Sequence, residues 1–70
     1  MEPVVSVEDA LAQLDAYEGE AAGFKLVVAE SLLDPVGVNM AIITDRVLAR
    51  GWMPDGFEQG DGCRIYAYTE

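Results

Sequence analysis

The sequence contains no histidine and only one cysteine, and these shortages restrict the chemistry open to it. Without histidine, the chain lacks the most common general base and the Ser–His and Cys–His pairs of nucleophilic catalysis. With Cys63 alone, no intramolecular disulfide can form, which favours a reducing compartment. We therefore expect a protein that is not an enzyme.

Motifs for cofactors, metals and export are also missing. Neither the glycine-rich phosphate loop nor the dinucleotide fingerprint can be aligned, so no cofactor is expected. Asp55, Glu58 and Asp61 recur every three residues, which does not match a calcium-binding EF-hand loop, and no metal site is expected. The N-terminus has no basic region before an apolar stretch, and no apolar run is long enough to span a membrane. These features predict a cytoplasmic location.

Basic residues are scarce, and this is the strongest signal in the composition. Four bases oppose thirteen acids, and the formal net charge is -9. The imbalance is greatest from Met1 to Asp34, where eight acids and one base give -7. Such a surface repels nucleic-acid phosphates and attracts basic partners, although acids can also serve only to keep a small apolar domain in solution.

What is present predicts one small folded domain, because 51% of the 70 residues are hydrophobic. Helices are predicted at about 7–18, after the N-cap Ser6, and at 35–50, between Asp34 and Gly51. The second of these helices has an apolar stripe that indicates a central helix or a contact with another chain. The stripe consists of Val36, Met40, Ile43, Val47 and Leu48, widened by Val38 and Ile42.

The segment between these helices is ambiguous. Its alanines and leucines favour a helix at about 21–33, whereas Gly23 and its paired valines favour a strand at 24–29. We expect the helix, because Asp34 and Pro35 then give a clear break before the next element.

The C-terminal part predicts a β-hairpin with strands at about 57–59 and 63–69, joined by the glycine-rich turn 60–62. Alternation along the second strand divides its side chains between two faces. We expect Cys63, Ile65 and Ala67 to cover the helices, which leaves Arg64, Tyr66 and Tyr68 as an exposed stripe. The final strand is also expected to form a free sheet edge, to which another strand could add.

Three helices followed by a hairpin give an α+β domain that resembles the winged-helix domains in element order alone. That resemblance implies a DNA-binding transcriptional regulator as one alternative, with Asn39, Arg46, Arg50 and Arg64 as its nucleic-acid-binding residues. Acidic residues at the tip of the wing, Glu58 and Asp61, oppose a grip on phosphates.

The function favoured by the sequence is a small, acidic, non-catalytic protein-binding module. It is expected to dock on a basic, possibly nucleic-acid-binding, surface of a partner and to inhibit or regulate it. In type, though not in sequence, it is similar to phage-encoded inhibitors and other DNA mimics. A homodimer could form through the central helix or the edge of the C-terminal strand. The predicted partner-binding residues are Glu8, Asp15, Glu18, Glu20, Arg64, Tyr66 and Tyr68.

Overall fold

The structure is a computed structural model that describes residues 2–70, and its fold is α+β with two helices and a three-stranded antiparallel sheet. The strand order is β1-β3-β2. Short 3-10 helices at Ala21–Gly23 and Glu30–Leu32 flank the first strand. The elements are α1 (Val7–Ala16), β1 (Lys25–Ala29), α2 (Val38–Ala49), β2 (Met53–Gln59) and β3 (Cys63–Thr69).

The predicted helix at 21–33 is wrong, because its middle is strand β1. Leu26 and Val28 are buried, whereas Lys25 between Phe24 and Leu26 is exposed, which is the two-residue period of a half-buried strand. Pairing with β3 outweighs the helix propensity of the alanines and leucines. The winged-helix order is therefore not reproduced, since the expected second helix is part of the sheet.

α1 begins after the predicted N-cap Ser6 and ends at Ala16, whereas α2 begins only at Val38, so its N-cap is Gly37 and not Asp34. Ser6 Oγ accepts a hydrogen bond of 3.1 Å from the backbone N–H of Asp9. The Asp34 carboxylate accepts backbone N–H bonds from Asn39 and Val38, each 3.0 Å long, which hold the pKa of Asp34 below its ordinary value. These bonds satisfy free N–H groups at the helix starts.

One face of the sheet packs against the helices, and it is the face opposite to the predicted one. β1 pairs with β3 so that Leu26 lies beside Tyr66 and Val28 beside Arg64. Side chains of paired residues share a face, so the even-numbered residues of β3 turn inward with Leu26 and Val28. The expectation that Cys63, Ile65 and Ala67 cover the helices is therefore wrong. The core consists of Val4, Ala10, Leu14, Ala21, Phe24, Leu26, Val28, Leu32, Ile43, Val47, Trp52 and Tyr68.

The hairpin has the predicted glycine turn but a different register. Gly62 has the expected positive φ, 70°, and the N–H of Gly60 donates to the Cys63 carbonyl at 2.8 Å. A three-residue turn at 60–62 would place Phe57 opposite Ile65, but Phe57 pairs with Tyr66, one residue further along. β2 also begins four residues earlier than predicted, with an irregularity between Pro54 and Phe57.

The free edge of the sheet is β2 and not the C-terminal strand. β3 lies between β1 and β2 and is hydrogen-bonded on both sides. On the far side of β1, Val4 forms a parallel bridge with Val28. A homodimer through the edge of the C-terminal strand is therefore excluded, because that strand has no free edge within the described part of the chain.

The turn of the hairpin depends on a close approach between Gly60 and the Cys63 thiol. A Cβ atom at Gly60 would lie 2.7 Å from Cys63 Sγ, well inside van der Waals contact. We expect Gly60→Ala to lower the free energy of unfolding by about 1–2 kcal/mol, through overpacking. In a Cys63→Ala background the same change should cost less, because the obstructing sulfur is gone. Urea denaturation of the four proteins in this cycle measures the difference, and an equal cost in both backgrounds would contradict the proposed contact.

Candidate functional site

The stripe predicted from Arg64, Tyr66 and Tyr68 is divided between core and surface. Tyr68 is only 3% exposed and packs among the core aromatics, with ring-centre distances of 6.0 Å to Phe24 and 6.5 Å to Trp52. It is therefore not a surface residue, and its assignment to a partner-binding site is wrong. A core this small needs large rings to fill it, and Tyr68 and Trp52 supply them.

Arg64 and Tyr66 remain partly exposed and come together with Phe57, and we name these three residues the Arg64 cluster. The Arg64 guanidinium lies 4.5 Å from the centre of the Phe57 ring, and the Phe57 and Tyr66 rings are 5.2 Å apart. Arg64 Nη1 also donates to the Tyr66 hydroxyl over 3.4 Å. Phe57 is 49% exposed. It shares the helix-facing side of the sheet with Tyr66, but β2 is an edge strand whose residues are all exposed, so the helices do not cover its ring.

Arg50, a candidate for nucleic-acid binding, makes its contacts with other parts of the same chain. Its guanidinium donates hydrogen bonds to the backbone carbonyls of Leu14 and Tyr17, at the C-terminal end of α1, the latter at 3.0 Å. It also lies 4.1 Å from the centre of the Trp52 ring. A cation at this end of a helix satisfies free carbonyls and is favoured by the helix dipole. Arg50 therefore holds α1 against the end of α2.

Asn39 and Arg46, the other two candidates on α2, are also held by contacts within the chain. The Asn39 side-chain amide donates to the Leu32 carbonyl at 2.7 Å. Arg46 forms an ion pair with Asp15 on α1, and both side chains are about half exposed. None of these contacts includes Arg64, so the four residues of the nucleic-acid-binding alternative are not brought together by any shared contact.

The acidic residues predicted to bind a partner are mostly where the sequence places them, on the surface. Glu8 is exposed in the first turn of α1, and Glu18 and Glu20 are exposed just after its end. A helix of ten residues is about 15 Å long, so these carboxylates lie near its two ends. Asp15 differs from them because Arg46 partly neutralises it. It is the one carboxylate in residues 2–70 that lies within 4.0 Å of a basic side chain.

Other kinds of site were sought across residues 2–70. No group of three or more metal-ligating side chains converges within that range. None of its helices combines the length and apolar character needed to cross a bilayer. Comparison with protein-family models, with curated proteins and with solved structures gave no match to this chain.

Tyr68 makes the free energy of unfolding depend on pH in the alkaline range. Burial, with a further contribution from nearby Tyr66, raises the pKa of Tyr68 from 10.0 to about 12, and its hydroxyl has no hydrogen-bond partner among the described residues. Between these two pKa values the unfolded chain binds fewer protons than the folded one, so the free energy of unfolding falls as the pH rises. We expect a loss of at most about 3 kcal/mol over this interval.

Tyr68→Phe should remove this component of the alkaline loss and leave stability at neutral pH nearly unchanged, because the hydroxyl makes no bond that could be lost. Urea denaturation at neutral pH and at several values above pH 10 tests both statements. If the free energy of unfolding fell equally in the two proteins above pH 10, the pKa of Tyr68 would not be raised in the folded protein.

The two arginines of α2 that reach α1 should differ in their contribution to stability. Arg50→Met retains an apolar side chain but removes a charged donor from two carbonyls, and we expect it to cost roughly 2–3 kcal/mol of unfolding free energy. Arg46→Met breaks a half-exposed ion pair and should cost about 0.2–1 kcal/mol. Thermal or urea denaturation compares the two variants directly, and similar losses would contradict the structural role given to Arg50.

Proposed function

We propose that this protein is a non-catalytic binding module of the cytoplasm that docks its acidic surface on a basic surface of a partner protein and so inhibits or regulates that partner. The basic surface would be one that otherwise binds nucleic acid, as in the action of DNA mimics. The observation that carries the proposal is the uncompensated negative charge. The net charge is -9, and a single carboxylate among residues 2–70, Asp15, has a basic side chain in contact.

The internal use of Arg50 supports this proposal. Its charge is directed to carbonyl oxygens at the end of α1 and to the Trp52 ring, and not to any of the thirteen acids. Arg50 therefore neutralises no carboxylate at short range, and the net charge of -9 sets the long-range field. Such a field accelerates association with a basic partner and weakens as salt screens it, with a Debye length of about 8 Å at physiological ionic strength.

The fixed positions of the acids also support the proposal. α1, which carries Glu8, is held at its start by the Ser6 cap and at its end by Arg50. The Tyr17 hydroxyl donates to the Glu20 carbonyl at 2.9 Å, which fixes the segment that carries Glu18 and Glu20. A rigid array of carboxylates loses less conformational entropy on binding than a flexible acidic tail would. In this proposal, Glu8, Glu18 and Glu20 meet basic side chains of the partner directly.

The Arg64 cluster provides a second kind of contact. Phe57 and Tyr66 expose aromatic surface beside a guanidinium, and aromatic residues and arginine are the residue types that most often dominate binding energy at interfaces. The acids would then contribute chiefly to the rate and specificity of docking, and the cluster to the lifetime of the complex.

The test is affinity capture with the wild-type protein and two charge-matched variants. The first variant carries Glu8→Gln, Glu18→Gln and Glu20→Gln, and the second removes three exposed acids elsewhere, through Asp45→Asn, Asp61→Asn and Glu70→Gln. Proteins retained at low salt are eluted with a salt gradient and identified. We expect a basic partner that the wild type and the second variant retain and that the first variant loses.

Retention of the same proteins by both variants, or elution that does not depend on salt, would contradict the proposal. A second measurement bears on the mode of action. If the captured partner binds duplex DNA, the wild-type protein should displace labelled DNA from it, and the first variant should not. Salt-sensitive binding of labelled random-sequence duplex by the acidic protein itself would instead favour the DNA-binding alternative.

A further inference from the structure

The face of the sheet opposite the helices is apolar and has no element of the described chain packed over it. Both α-helices lie on the other face, with Leu26, Val28 and Tyr68. The residues that alternate with these along the strands are small or β-branched and apolar. Together with Val5, which follows the inward-facing Val4, they form what we name the open sheet face: Val5, Val27, Ala29, Ile65 and Ala67.

This composition is unusual for a sheet face in contact with water. An antiparallel sheet with one covered face normally alternates apolar residues inward with polar residues outward. In β1 and β3, only Lys25 and Thr69 bring polar side chains to the outward positions, whereas Val27, Ile65 and Ala67 bring apolar ones. A contiguous apolar face with a charged rim is characteristic of an interaction surface.

Charged residues of opposite sign stand on the two sides of the open sheet face. Lys25 belongs to β1, whereas Asp55 and Glu58 belong to β2, and β3 lies between these strands. All three line a single depression of about 430 Å³ whose floor includes Ile65 and Ala67. Lys25 has no carboxylate within 4.0 Å in residues 2–70, so its charge is available to a group outside the chain.

We propose that the open sheet face binds a second copy of this chain, in a symmetric dimer with the two sheets packed face to face. Flat faces of this kind pack about 10 Å apart with their strands nearly aligned. A two-fold axis parallel to β3, between the sheets, places β1 of one copy over β2 of the other. Each Lys25 then faces Asp55 and Glu58 of the other copy, and the arrangement occurs twice.

The charge pattern distinguishes this dimer from other arrangements. A two-fold axis perpendicular to the strands would place β1 over β1 and β2 over β2, so Lys25 would lie over the strand that carries the other Lys25 and the acids of β2 would lie over acids, which is unfavourable. Helix α2 also exposes apolar residues, including Val38, Ile42 and Leu48, but its one base, Arg46, is already paired with Asp15 and is not free to meet Asp45 of a second copy. The open sheet face is the apolar surface whose charges complement themselves.

The size of the face and the charge of the chain set the strength expected for the dimer. The strands have five to seven residues each, so the face is smaller than the area of about 800 Å² per partner in a standard interface. We therefore expect a dissociation constant on the order of 100 μM. Two chains of charge -9 repel each other at a distance, so the dimer should become tighter as salt is added. Docking on a basic partner has the opposite dependence on salt, and the two proposals are independent.

The test uses two variants of opposite charge, studied by sedimentation equilibrium alone and as an equimolar mixture. Lys25→Glu makes all three positions acidic, and Asp55→Lys with Glu58→Lys makes all three basic. We expect the wild type to approach twice its monomer mass at about 1 mM in moderate salt, and each variant alone to remain monomeric. In the mixture every facing pair is again of opposite sign, so the dimer should return.

A control pair separates this result from a general effect of charge. Glu18→Lys with Glu20→Lys makes the same change in net charge but leaves the sheet unchanged, so this variant should dimerise alone as the wild type does. Its mixture with Lys25→Glu should contain no more dimer than the two proteins form separately, because the glutamate introduced at position 25 would again face acids. The proposal is overturned if the wild type is monomeric at about 1 mM at every salt concentration. It is also overturned if the control variant brings the Lys25→Glu chain into dimers as well as the sheet variant does, or if Ile42→Asp on α2 abolishes the dimer while the sheet variants retain it.

Discussion

The pairing of β1 with the central strand β3 determines which side of every strand faces the helices. Nearly forty residues separate Leu26 from Tyr66, yet their registry places Leu26, Val28, Tyr66 and Tyr68 on one face. The core follows from this, because Tyr68 then meets Phe24 and Trp52. The same registry turns Ile65 outward. The pairing of β1 with β3 thus has two results: a core that contains the rings of Phe24, Trp52 and Tyr68, and an opposite sheet face of small apolar residues.

A second constraint joins the helices to this sheet through a charged group. Arg50 is the C-cap of α2, donates to the carbonyl end of α1 and lies over the ring of Trp52, the residue that precedes β2. One guanidinium therefore connects the end of α1 with the segment between α2 and β2, which follows 33 to 36 residues later in the sequence. For a domain with so little apolar surface to bury, a polar contact with charged hydrogen bonds at the margin of the core contributes a large share of the stability that remains.

The sequence predicted those features that depend on neighbouring residues and missed those that depend on distant ones. Ser6 and Gly62 act as cap and turn residue as expected, because each needs only groups a few positions away. Asp34 accepts N–H groups from the first turn of α2, although the N-cap of that helix is Gly37. The strand state of β1 could not be derived in this way, since its helix propensity is overcome by pairing with β3. The exposed position of Phe57 could not be derived locally either, because it depends on β2 lying at the edge of the sheet, where the helices do not cover it. Of the candidate site, the exposed acids could be predicted, whereas the internal use of Arg46 and Arg50 depends on α1 lying against α2.

The contact between Gly60 and Cys63 has a consequence for how the motion of the hairpin can be observed. Cys63 is the one thiol in the sequence, it is buried, and the backbone of the turn lies against its sulfur. A thiol reagent can reach that sulfur only when the turn moves away, so the rate of alkylation reports how often the hairpin opens. Alkylation of Cys63 therefore measures the opening of the strand pair β2 and β3, which carries Phe57 and the Ile65 and Ala67 side chains of the open sheet face.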